Sequence, residues 1–178
     1  LEGVGERALS DRLLLMGPGG GAHIGALVGS SAGTVRNCYS AGTVSGVAGV
    51  GGLVGENDGI VSNSCSTADV IGAGWSMSYH VGGLVGENDG TLTSSYASGN
   101  VTGEDHIGGL IGHNWGTVSD SRATGSAAGH WWVGGLLGSN DDLVSRSYAT
   151  GDVTGTEYVG GLTGDNLGTM SDCYAIGN

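Results

Sequence analysis

Val50-Gly-Gly-Leu-Val-Gly-Glu-Asn57 returns unchanged as Val81-Gly-Gly-Leu-Val-Gly-Glu-Asn88 and, with three exchanges, as Ile107-Gly-Gly-Leu-Ile-Gly-His-Asn114. Working outward from these stretches, six segments open with Val or Ile followed by Gly-Gly-Leu-x-Gly, at Ile24, Val50, Val81, Ile107, Val133 and Val159; only the first replaces the second glycine, with Ala26. Their spacings are 26, 31, 26, 26 and 26 residues. A fixed period of this size marks a solenoid, because one such unit cannot bury its apolar side alone and must stack on its neighbours.

Within each unit, short β-prone runs alternate with Gly and Asn turns. No stretch sustains the i, i+3, i+4, i+7 apolar spacing of a helix, and glycine is too frequent for one. The expected fold is therefore all-β, a parallel β-helix (β-solenoid) of about six to seven 26-residue coils. At roughly 3.3 Å per residue, three short strands with turns would close one coil. Residues 1–23 read as a degenerate N-terminal coil or cap, with His23 falling in the column of His106, and residues 24–178 as six coils. The spacing of 31 locates a five-residue insertion within 73–79. The sixth coil stops before its Val-Thr-Gly, so its uncovered backbone edge is expected to join a longer chain or to stack on another subunit.

Equivalent residues of successive coils lie about 4.8 Å apart, so each alignment column becomes a physical row. The Leu27, Leu53, Leu84, Leu110, Leu136, Leu162 and the Val35, Val61, Leu92, Val118, Val144, Met170 columns are the expected core. Asn57, Asn88, Asn114, Asn140 and Asn166 form a row suited to an amide ladder, with Ser31 in its place in the first coil. Glu56 and Asp58 would stand beside Glu87 and Asp89. Four crowded carboxylates are either solvated acidic turns or a calcium site, since like charges need water, protons or a cation between them.

A further column, immediately before each repeat, carries His23, Gly49, His80, His106, Trp132 and Tyr158. Together with Trp75, Tyr79, Trp115 and Trp131, these rings could stack sugar faces, or simply stack on one another along an edge. His80 and His106, near Glu104 and Asp105, could hold a transition metal but lack a third defined ligand. The insertion, which contains Trp75 and Tyr79, is either a merely tolerated one or the place for a specific partner contact, since insertions in repeat proteins map to loops on one face. Thr34, Thr91, Thr93, Thr117, Ser119, Thr169 and Ser171 make a hydroxyl row reminiscent of ice-binding surfaces, broken by Arg36, Ile60 and Leu143.

Composition narrows the partners. The chain of 178 residues holds 40 glycines and a net charge of −12, with its five basic residues all arginine. Without a basic stripe to displace counterions from phosphate, nucleic acid and anionic membranes are disfavoured. Its longest apolar run, Leu13 to Met16, is too short for membrane insertion. Cys38 and Cys173 share a column, Cys65 lies in the next, and buried free thiols are expected. Polysaccharide-active solenoids need paired carboxylates, or a base with a cation, in a walled cleft. Here the Ser, His and Asp residues follow the repeat, so no enzyme and no obligatory cofactor is expected.

The Val-Gly-Gly-Leu-Val-Gly-Glu-Asn octets at 50–57 and 81–88, with 107–114, resemble the GLUG repeat of large bacterial surface proteins, over about residues 24–178. The resemblance implies a secreted or cell-surface setting and carries no catalytic residues. The leading expectation is an extracellular structural or adhesive solenoid, a stalk or an end-to-end stacking fibre subunit, with glycans or host-surface proteins as partners. The alternative is a carbohydrate-binding solenoid.

Overall fold

The computed structural model describes residues 22–74 and 79–177. The described elements are all strands, and every pairing between them is parallel. They wind into a β-solenoid of about six turns, with sheets running along the coil axis. Coil four illustrates the turn: Asp105–Gly108, Ile111–Asn114, Thr117–Ser119, Arg122–Ala123 and Ala127–Ala128 follow one another around the circumference. Each belongs to a different sheet, here called the first to the fifth.

One coil therefore holds five strands of two to four residues, where the sequence suggested three. The reason lies in backbone chirality. Two rows of non-glycine residues take positive φ: His23, His80, His106, Trp132 and Tyr158 at 49–65°, and Asn37, Asn63, Ser94, Asp120, Arg146 and Asp172 at 45–56°. The second row falls between the strands of the third and fourth sheets, where each left-handed step ends one strand before the next begins; the first row falls inside the first-sheet strands and bends them without cutting them. Asn and Asp tolerate this step by bonding their own backbone. His, Trp and Tyr do not share that advantage.

Register follows the repeat: Ile107 pairs with Val133 and Val81, and Asn114 with Asn140 and Asn88. Across the insertion the offset grows, since Gly72 pairs with Gly46 but Tyr79 with Ala48. The extra residues are thus spliced out between the fifth and first sheets, and the ladder resumes in phase. Residues 1–21 and Trp75 lie outside the described residues.

Two apolar clusters fill the interior. Leu53, Leu84, Leu110 and Leu136 pack with Val61, Leu92, Val118 and Val144 and with Ala97, Ala123 and Ala149; Val50, Val81, Ile107 and Val133 pack with Val44, Val70, Val101 and Ala127. Leu84 is fully buried, whereas its equivalent Leu27 in the outermost described coil is 50% exposed. Between the clusters the interior narrows until only hydrogen fits. A Cβ on Gly109 would fall on the carbonyl oxygen of Gly135 and press on Ala123. That close approach is what the second glycine of the motif supplies.

Buried polar groups are paired along the axis. Asn57 Nδ2 donates to Asn88 Oδ1 at 2.7 Å, Asn88 to Asn114 at 2.7 Å, Asn114 to Asn140 at 2.8 Å and Asn140 to Asn166 at 2.8 Å. The second amide hydrogen closes the local turn, as from Asn114 to Gly116 O at 2.6 Å. A serine row does the same for the backbone: the N–H groups of Ser64, Ser95 and Ser121 donate to Oγ of Ser95, Ser121 and Ser147 at 3.1–3.2 Å. Cys38 and Cys173 occupy the ends of that row, with Sγ turned to Arg36 O and Ser171 O. The three cysteines are free, and they are half-buried, not buried, because two end the row and Cys65 lies on the outer fourth sheet.

Two stability outcomes follow. Ser31 does not complete the amide ladder and Asn57 Oδ1 is buried without a donor; Ser31→Asn is expected to stabilise the chain by about 0.5–1.5 kcal/mol in urea unfolding. Gly109→Ala is expected to cost about 1–3 kcal/mol or more by the same measurement, because backbone cannot yield as a side chain would.

Candidate functional site

One face gathers four of the five histidines with several acids and rings: the outer surface where the first sheet meets the second. The left-handed step turns His23, His80, His106, Trp132 and Tyr158 outward along one row, with Gly49 filling the gap in coil two. Facing it, the second sheet contributes the register row Ser30, Glu56, Glu87, His113, Ser139 and Asp165. The two rows can approach because the glycine before each second-row residue has no side chain: a Cβ on Gly112 would meet the backbone of His80 and Val81.

The rows interlock by charge and by ring. His80 Nδ1 lies 3.0 Å from Glu87 Oε1, and His113 Nε2 lies 3.0 Å from Asp141 Oδ2. Glu87 leans over Gly49 toward coil one, where His23 and Glu56 stand 3.7 Å apart. The rings of His80, His106 and His113 converge, with centroids 5.0–5.3 Å apart. Trp115 lies flat on His113 at 3.6 Å, Trp132 stacks on His106 at 4.6 Å, and Tyr158 stacks on Trp132 at 5.4 Å.

Burial sets the protonation. It drives the His106 pKa down to about 3, reinforced by the neighbouring charges of His80 and His113 and opposed by Asp141. His113 is lowered too, again chiefly by burial, against the raising effect of its hydrogen bond with Asp141. For Glu87 burial pushes upward, but the hydrogen bond to His80 and the charges of His80, His23 and His113 together outweigh it and lower the pKa. Asp105 is raised, mainly by burial.

The four acids expected to crowd together are divided. Glu56, Asp58 and Asp89 bring carboxylate oxygens within 4.8 Å of one another, while Glu87 turns to His80 and groups with His23 and Glu56. Burial and the repulsion of Asp58, Glu56 and Glu87 raise the pKa of Asp89. Of the expected aromatic surface, His80, His106, Trp115, Trp132 and Tyr158 come together. Tyr79 and Trp131 belong to the flanking row of the first sheet, alongside Asp105 and Glu157. The faces of His106 and Trp132 are covered by other rings, so this row presents edges to solvent along most of its length. Sequence reasoning missed His113 and Asp141, because His113 stands in a column filled elsewhere by Ser, Glu and Asp and nothing in the linear order ties it to His80.

Residues 77–102 and 103–128 each match the family described as the GLUG motif. Residues 77–128 are GLUG repeats. The two matched coils contain His80, His106, His113 and Trp115, so the crowded part of the face is built on GLUG backbone. The GLUG β-solenoid makes this a structural repeat protein. Comparison with curated proteins and with solved structures finds no match.

The acidic turn gives a signed test. A raised Asp89 pKa means the folded state holds that proton more tightly than the unfolded chain, so burial of the carboxylate and its repulsion by neighbouring acids cost stability in full above the raised value, a cost that vanishes below the ordinary 3.8. Asp89→Asn is expected to raise the melting temperature by up to about 3 °C at pH 7 and to make no difference near pH 3. Melting curves at the two pH values check it.

Proposed function

We propose that this chain is a non-catalytic extracellular structural or adhesive solenoid, either the stalk of a larger surface protein or a subunit that stacks end to end. The observation that carries this reading is the continuity of the ladders. The asparagine ladder runs from Asn57 to Asn166, and the sheets stay in register past the insertion. Such a wall is stiff along its axis and adds or loses coils without changing the geometry of the rest.

Among the described residues, the open surface beside the insertion supports the non-catalytic part of the reading. Beside the insertion, Gly72, Gly74, Thr102, Gly103 and Glu104 line a wide, open depression of about 200 Å³, too shallow to exclude water from a reaction. Neither a nucleophile with its base nor a cation-supported base converges there. In the last described coil Val159 is 45% exposed, whereas its equivalent Val133 in the preceding coil is fully buried; a further coil, of this chain or another, would cover such an apolar edge.

A second reading rests on a separate observation: Tyr79, Trp115 and Tyr158 keep exposed ring surface, the last at 58%. Open ring faces stack on sugars. Under that reading the face would bind carbohydrate of a cell surface.

Electron microscopy of the purified protein, with a glycan array alongside, separates the two. Fibres of uniform width with no array signal are the expected outcome. A monodisperse monomer would remove self-stacking and leave the stalk; a monomer that scores on the array and loses the signal on Trp115→Ala would replace the structural reading with the carbohydrate one.

A further inference from the structure

We propose that His80, His106 and His113 form a binding site for a divalent first-row transition metal ion of the zinc class, clasping coils three and four together. Each ring offers one nitrogen, and the three nitrogens lie within 4.8 Å of one another. Neutral imidazole is the preferred ligand of zinc, copper and nickel, whereas calcium and magnesium take oxygen. Three imidazoles with remaining room for water match the donor set of an open zinc site.

Orientation of the rings supports the assignment. A carboxylate accepts, so Glu87 fixes the proton of His80 on Nδ1, and Asp141 fixes that of His113 on Nε2. The lone pairs of His80 Nε2 and His113 Nδ1 are thereby left for another partner. Carboxylate-held histidines are how proteins aim imidazole at a metal. Asp105 Oδ1 sits 2.8 Å from His106 Nδ1 but is misaligned for a hydrogen bond, so it does not fix the His106 proton as Glu87 and Asp141 fix theirs.

One further observation requires an explanation that the repeat does not give. Nδ1 of His106 and Nδ1 of His113 are buried without a hydrogen-bond partner. A buried orphan nitrogen is a cost that native proteins rarely leave standing. Row equivalents of His113 are Ser30, Glu56, Glu87, Ser139 and Asp165. The cluster is therefore not imposed by the period; it occurs where two rows of different origin meet. His80 and His106 remain partly open to solvent, at 21% and 18% side-chain exposure, so an ion can reach them. The flat Trp115 covers His113 from outside.

The test uses the whole chain, treated with EDTA and desalted. Zinc sulfate titration by calorimetry is expected to show saturable binding at one ion per chain, and cobalt(II) to give visible d–d absorption of a nitrogen-ligated site. Calcium and magnesium are expected to leave that absorption unchanged. The double variant His106→Gly with His113→Ser installs residues the chain already carries at equivalent places, Gly49 and Ser139. It is expected to weaken zinc binding more than about hundredfold while leaving circular dichroism and the melting temperature in EDTA unaltered. Lack of saturable zinc binding by the parent chain overturns the proposal. So does undiminished binding in the double variant, which would assign the ion to the carboxylates or thiols; should that variant not fold, His113→Ser alone decides by the same criterion.

Discussion

Every feature of this molecule depends on one geometric constraint: each residue stands about 4.8 Å from its own equivalent in the next coil. Like sits on like. For asparagine that is favourable, since an amide both donates and accepts, and the chain of bonds from Asn57 to Asn166 runs through the wall without a break. For serine it is equally favourable, because Oγ accepts from the neighbouring backbone while its hydrogen goes to the carbonyl two residues back. For carboxylates it is not, and the acidic turn of coils two and three answers by dividing: Glu87 finds His80, and the remaining acids shift the proton affinity of Asp89.

The same constraint explains which residues depart from the repeat. In a column that must tolerate its own image, a change of residue type is either harmless or compensated nearby. Gly49 interrupts the aromatic row, and the vacated space is where Glu87 leans across to coil one. Cys38 and Cys173 replace serine at the two ends of its ladder and keep its hydrogen bond to the carbonyl two residues back. Arg122 replaces tyrosine in a column of the fourth sheet and lies as a cation over the ring of Tyr96 at 4.3 Å. Chemistry enters this solenoid by exception to the period.

That is also why the fold was legible in the sequence and the candidate site only in part. Period, parallel sheets, core columns and the asparagine row are all statements about residues 26 apart, and the Gly-Gly-Leu octets declare that offset directly. Strand number was not legible, because a left-handed step that separates two strands can fall on a side chain such as Arg146, which carries no turn signature. The histidine cluster joins positions 80, 106 and 113, of which only the first two share a column. Its third member comes from a neighbouring row, and the distance between rows is set by the glycine before each second-row residue, a packing fact with no linear trace. Trp75, the most conspicuous residue of the insertion, lies outside the described residues.

The ladders also have a direction, and this limits how such a rod can be extended. Each asparagine donates toward the C-terminal side, from Asn57 to Asn88 and onward to Asn166, so one end of the row offers an acceptor and the other a donor. The parallel sheets share that polarity, with backbone edges that differ at the two ends. A further coil, whether it comes from the same chain or another, must therefore enter with the same sense and the same phase. Head-to-head contact would oppose donor to donor and throw the core columns out of register. Only a head-to-tail contact keeps the rows intact, and such a contact does not close on itself. An open filament and a longer stalk are thus the same solution to the same stacking rule, differing only in whether the next coil is covalently attached.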